Sequence, residues 1–332
     1  MSTYKGIQGY TVQKLSSDPT AEDAVGQLFY NSTSGKFKVG TEGAGAWSSA
    51  TSFTRVGTTD GKFCGTSTAT LFAGGYAPAA VHSPPLSMDY TEKYDGTTWT
   101  EVADLNTARY GCFLAGTQAA AVNAGGNNDQ VISETWDGTS WTETNNLNTG
   151  RHNMGIAGTQ TSGIAISGLT PTITGVCETY DGTSWTNGTN INTARYSGGG
   201  SGASSTSAIY VGGGTPPASA LSETWNGSTW TEGNNINTAR SACGGFGIVT
   251  SALISGGAPP VGVGVSVTEK YDGTSWTEVA DMATARYSVA ACGTVTSGLI
   301  GGGNGSPTPS GLTQECEEWS DPVYTIKTVT VS

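Results

Sequence analysis

The sequence predicts an all-β protein assembled from one short unit used six times, and three repeating features predict it. The phrase Glu92-Lys-Tyr-Asp-Gly-Thr-Thr-Trp-Thr100 returns from Glu134, Glu178, Glu223 and Glu269, and in degraded form from Glu317, at steps of 42, 44, 45, 46 and 48 residues. A glycine doublet precedes the phrase at Gly74-Gly75, Gly125-Gly126, Gly212-Gly213, Gly256-Gly257 and Gly301-Gly302, weakened to Ser167-Gly168 in the third copy. An arginine follows ten residues after the Trp, at Arg109, Arg151, Arg195, Arg240 and Arg286. A period in this range marks a repeat architecture whose units stack to bury a shared core.

Residues 1–44 stand apart from the repeat. Gly6 to Lys14 has the composition of a strand, Ser17-Asp18-Pro19 starts a turn, and Gln27 to Val39 reads as strand, turn and strand. Trp47 and Arg55 then open the repeat region, Arg55 being the sixth arginine. Within each repeat the first strand is rich in small residues, as in Tyr110 to Gly116, and the second ends on the doublet, as in Ala119 to Gly126. The third and fourth form a hairpin. An aromatic residue (Tyr94, Trp136, Tyr180, Trp225, Tyr271) precedes Asp-Gly or Asn-Gly, and a Trp starts the return strand. Four strands tapering from tiny residues to aromatics fit the blade of a propeller, whose inner strand is crowded at the axis. The expectation is a six-bladed β-propeller over residues 45–332, with residues 1–44 as an N-terminal β-hairpin arm and both chain ends joining the last blade.

Composition narrows the function classes. Only 14 residues are basic against 26 acidic ones, a net charge of −12, which argues against nucleic acid as a partner because phosphate binding needs clustered Lys and Arg. No apolar run of membrane-spanning length occurs, and the first residues lack the apolar core of a secretory signal. No membrane insertion is expected, and synthesis is expected in a cytoplasm. The six cysteines fall at repeat-equivalent places without metal-ligand spacing and are read as small buried residues; a Cys64–Cys292 disulfide between neighbouring units is the alternative.

The doublet, the Glu-x-Tyr-Asp phrase, the Trp and the Arg opening the next unit together resemble the kelch repeat, over roughly residues 45–325. The aromatic-to-Trp spacing of five is shorter than the usual kelch spacing. The Asp-Gly-Thr-x-Trp hairpin also resembles the Asp-box of sialidase-type propellers, without its leading Ser. Either resemblance implies a propeller and neither implies an activity. Separately, Gly26 to Val39 is similar to hairpins of tailed-phage fibre and virion proteins. That resemblance implies a structural component of a virion, assembled in multiple copies, whose partners are other virion subunits and a host-surface glycan or protein.

Catalysis finds little support in the residues. With two histidines, His82 and His152, a copper site like that of kelch-type galactose oxidase lacks its ligands, and no nucleophile elbow or phosphate-cradling loop occurs. No cofactor is expected. The repeated Arg and Glu are read as ion pairs, the alternative being an arginine ring for an anionic ligand. Recognition is assigned to the variable loops between second and third strands, which hold ten of the twelve prolines. The candidate contact residues are Tyr76, His82, Pro84, Pro85, Met88 and Tyr90 in the longest loop, with Pro216, Pro217, Pro259 and Pro260 in two others. Two rival functions stay open: a sialidase-like glycosidase acting on host glycans, and a cytosolic kelch-type protein-interaction adaptor.

Overall fold

The computed structural model describes residues 12–21, 23–54, 59–77, 86–260, 263–305 and 312–329. Among them there is no helix, and the strands gather into seven four-stranded sheets and two two-stranded ones. The chain divides into two compact units, residues 47–320 and residues 1–46 together with 321–332.

In the larger unit six sheets follow the repeat. The second shows the pattern: Phe113–Gly116, Ala121–Ala124, Ser133–Trp136 and Trp141–Thr144 lie side by side in chain order, each antiparallel to the last. Each first strand packs beside the first strand of the next repeat, and Ala290–Thr294 of the sixth packs beside Lys62–Thr66 of the first. Close packing explains their small residues. A Cβ added at Gly200 would lie 2.4 Å from the backbone nitrogen of Ile156, and one at Gly245 would lie 3.2 Å from Gly199.

Hydrophobic clusters form between facing sheets. Phe113 and Val122 meet Tyr180 and Trp185 across the second and third repeats. Phe63 and Phe72 meet Leu299 and Cys292 across the first and sixth. Within each hairpin the repeated aromatic stands opposite its Trp, as Tyr94 opposite Trp99 with ring centroids 4.9 Å apart. In the turn between them only the glycine takes positive φ, 93° at Gly96, whereas Asp95 acts through its side chain. Its Oδ1 accepts the N–H groups of Thr97 and Thr98 at 2.8 and 2.7 Å. The sequence signal is therefore an Asx turn followed by a glycine.

Three expectations are corrected. In the sixth repeat the doublet is Gly302-Gly303, at φ 64° and 94°, while Gly301 ends the preceding strand. The third repeat's connection shrinks to a turn at Pro171, because Ser162–Thr170 and Thr172–Tyr180 extend as one long hairpin. The two chain ends do not share the last sheet. Its outer strand is Ala46–Ala50, next to Cys316–Ser320, whereas Val323–Thr328 pairs with Lys36–Gly43 in the smaller unit. Trp47 explains the outcome: it packs on Trp319 and Phe246, and its indole donates to Thr268 Oγ1 at 3.1 Å. Pro322, which cannot donate to a ladder, lies where the chain leaves Ser320.

The smaller unit is one sheet. Gln13–Leu15 runs parallel to Leu28–Asn31, which turns back into Lys36–Gly43 and so onto the C-terminal strand. The hairpin over Gln27 to Val39 is found as expected, as the centre of a four-stranded sheet. Most of the strand expected over Gly6 to Lys14 lies outside the described residues.

Candidate recognition face

The repeated charges settle first. Arg109, Arg151, Arg195, Arg240 and Arg286 pair with Glu134, Glu178, Glu223, Glu269 and Glu317, each arginine reaching the hairpin of the following sheet, and all ten side chains are buried. Arg55, expected to serve Glu92, lies outside the described residues. The glutamates are further held by Asn-Thr-Ala-Arg itself: Glu134 accepts the N–H groups of Asn106 and Thr107 at 2.8 and 3.2 Å and the Asn106 side-chain amide at 2.8 Å. That amide also reaches Trp141 O at 3.0 Å. The four-residue phrase is thus a clamp on the next repeat, with every described arginine consumed in it.

Each arginine carbonyl then accepts the second N–H of the preceding doublet, as Gly75 to Arg109 and Gly213 to Arg240 at 2.8 and 2.9 Å. This contact ties the loop after each doublet to the start of the next first strand. Two residues past each arginine the chain takes left-handed φ, at Gly111, Asn153, Ser197, Ala242 and Ser288, and Asp60 does the same in the first repeat, with φ between 52° and 60°. These six close a cycle. Gly111 N–H donates to Asp60 O, Asn153 to Gly111, Ser197 to Asn153, Ala242 to Ser197, Ser288 to Ala242, and Asp60 to Ser288, at 2.6 to 3.3 Å. Left-handed backbone at non-glycine residues costs energy, and here the cycle over-determines it.

Around this cycle stands a rim that the sequence reading missed. The residue between arginine and cycle is Tyr110, His152, Tyr196, Ser241 or Tyr287, each half-buried. Tyr76 lies 4.9 Å from Tyr110, ring to ring. His152 Nδ1 is 3.1 Å from Asp129, and Tyr196 covers Gly214, where a Cβ would come within 2.6 Å of its ring. Tyr196 also exchanges two backbone hydrogen bonds with Gly214, and Ser241 does so with Ala258. Burial pushes the Tyr110 hydroxyl up, so that residue offers a neutral ring and hydroxyl at neutral pH. The signal was present as an aromatic directly after three of the repeated arginines.

The sequence-predicted residues fall in three loops of this same type. Tyr76 and Tyr90 are half-buried, Tyr90 O receiving Gly74 N–H at 2.9 Å. Met88 is buried, its backbone tied to Gly75 and Arg109, which leaves its side chain little surface to offer. Pro216, Pro217 and Pro260 are exposed and Pro259 is half-buried. His82, Pro84 and Pro85 lie outside the described residues. Each loop is latched to its own repeat and to the arginine that opens the next, and among the described residues no contact joins Tyr76, Pro216 and Pro259 to one another.

Among the described residues no group of three His, Cys, Asp or Glu side chains could hold a metal ion. All six cysteines are free and buried, so Cys64 and Cys292 are not joined, and burial pushes Cys177 up to about 11 and Cys292 to about 12. Such thiols are protonated and inert at neutral pH. No protein-family model matches this chain, and no curated protein matches it in sequence.

Proposed function

We propose that residues 47–320 form a six-bladed β-propeller acting as a non-enzymatic binding and structural module, with recognition on the face that carries the aromatic rim. The observation that carries this reading is the division of labour just described. The repeated charges are spent inside the scaffold, and the aromatic groups left at the loop face vary from repeat to repeat on a rigid base, an arrangement suited to recognition. The setting we infer is the particle of a tailed bacteriophage, on the strength of the hairpin at Gly26 to Val39, with another virion subunit or a host-surface glycan or protein as the partner.

The test combines two variants. Tyr110→Ala/Tyr196→Ala/Tyr287→Ala strips the rim, and replacing residues 77–89 with a short Gly-Ser turn removes the longest loop. Loss of particle incorporation or of host adsorption in either is expected. Wild-type behaviour of both variants in both assays, with folding intact, would move the contacts elsewhere, and turnover of a glycoside by the wild-type chain would replace the reading with an enzymatic one.

A further inference from the structure

The six first strands enclose a cavity of about 150 Å³, lined by residues of every repeat from Lys62 to Gly293. Nearly all of its lining is glycine, alanine, cysteine or an aliphatic side chain; the single charged residue among the described ones is Lys62. The equivalent positions in the other repeats are Phe113, Gly155, Gly199, Gly244 and Ala290, so the charge is a departure from the repeat rather than a product of it. Lys62 lines the cavity together with Leu114 of the second repeat and Cys243 of the fifth.

Lys62 is also unpartnered. Every described arginine of the repeats has its glutamate, Lys38 has Asp18, and Lys93 has the carbonyl of Gly138. Among the described residues, no ion pair or hydrogen bond engages the Lys62 ammonium. The nearest acid in sequence, Asp60, is committed elsewhere: its carboxyl is hydrogen-bonded to Ser288 and Thr59, and its backbone belongs to the axial cycle. Burial raises the Asp60 pKa, with the Lys62 charge pulling it partly back, so Asp60 is a weak counter-ion for its neighbour. An ammonium whose nearest acid is committed to other hydrogen bonds can take a further anion. Each lining strand is moreover the end strand of its sheet, so one side of its backbone has no ladder partner.

We propose that this axial cavity binds a small oxyanion, a phosphate-type or short carboxylate ion, with Lys62 as its charged anchor and unladdered backbone N–H groups completing the shell. Size is compatible: the cavity is well above the roughly 10–15 Å³ that a single water needs, so a small polyatomic ion fits. Such a site is independent of the rim, since the axial cycle lies between them in the chain of every repeat.

The experiment titrates inorganic phosphate and, separately, acetate into the full ¹⁵N-labelled chain at constant ionic strength, following the amides of Gly199, Gly200, Gly244 and Gly245. Saturable shifts confined to these glycines are expected, with a Kd of about 1 mM. Lys62→Met should weaken binding by about tenfold or more, Lys36→Gln on the exposed surface should leave it unchanged, and Asp60→Asn should leave it equal or tighter. Lys62→Gln stands in if the methionine variant fails to fold. The two titrations tell phosphate from carboxylate selectivity. Binding by the lysine variants that equals wild type, or wild-type shifts that are absent or never saturate, would overturn the site.

Discussion

Arg195 and Glu223 are both enclosed, and the guanidinium donates to Gly212 O at 2.8 Å, Thr193 O at 2.9 Å and Tyr210 O at 3.0 Å besides the carboxylate. Arg195→Ala would leave a buried glutamate with only the amides of Asn192 and Thr193 for company. The expected cost is about 3–5 kcal/mol, the penalty of a stranded buried charge rather than the net worth of the pair. Equilibrium urea unfolding measures it, and a loss under about 1 kcal/mol would mean the charges relax into solvent. Removing the exposed Lys38 from Asp18 should change the same curve little. One Glu and one Arg per repeat made the pairing legible in the sequence. The role of Asn106 and its equivalents was not, because its hydrogen bond is to a glutamate 28 residues away, in another sheet. Separation in sequence also hid the cycle of backbone hydrogen bonds: Ala242 and Ser288 carry no local preference for the left-handed conformation they hold.

The hairpin is the most locally determined element, and its turn titrates. Hydrogen bonds lower all four turn aspartates: the Thr139 hydroxyl leads in holding Asp137 at about 2, the Ser184 amide leads in holding Asp181 at about 2, and Asp95 and Asp272 are lowered likewise. The ordinary value is 3.8, so this stabilisation is fully present above pH of about 4 and is lost as pH falls toward 2. A modest fall in Tm is expected across that window, because the four carboxylates are exposed and solvent-screened. The fourth repeat already carries the control, since Asn226 accepts the same two N–H groups at 3.0 and 2.9 Å without an ionisable group. Asn at positions 95, 137, 181 and 272 should flatten the fall between pH 4 and 2 while keeping the fold; parallel curves for variant and wild type would assign acid lability to other carboxylates. The doublet behaves differently. Gly212 has φ 64° and a Cβ there would lie 2.5 Å from Arg240 O, so Gly212→Ala should cost about 1–3 kcal/mol. The sequence marked this doublet as special, and its reason is the hydrogen bond from Gly213 to the next arginine rather than the turn itself.

For the molecule as a whole, the order of strands was legible and its closure was not. Tyr324 stands five residues after Trp319, the spacing of the hairpin, and Trp47 stands eight before Arg55, near the spacing of a fourth-strand Trp. Sequence alone weighs these as equals. Packing separates them, because a fourth strand must also fill the gap to the preceding sheet, and Trp47 does so against Phe246 and Trp319 while the Tyr324 strand finds six ladder partners from Lys38 to Gly43. A truncation and a substitution therefore have opposite expected outcomes. Deleting residues 323–332 should remove one strand of the smaller unit and leave the calorimetric transition of residues 47–320 where it was. Trp47→Ala should lower that transition, by about 2–3 kcal/mol in stability, below the 3–5 of a fully buried Trp because the ring is only half covered. The indole's hydrogen bond to Thr268 adds to the effect, since Thr268 opens the third strand of the fifth sheet and joins it to the sixth through this contact. In the proposed propeller this junction is the seam and should open first, so amide exchange in Cys316–Ser320 should accelerate in Trp47→Ala before exchange in Ser133–Trp136 does. Uniform acceleration across all six sheets would mean that the seam is no weaker than any other contact, and that the larger unit unfolds as one cooperative body.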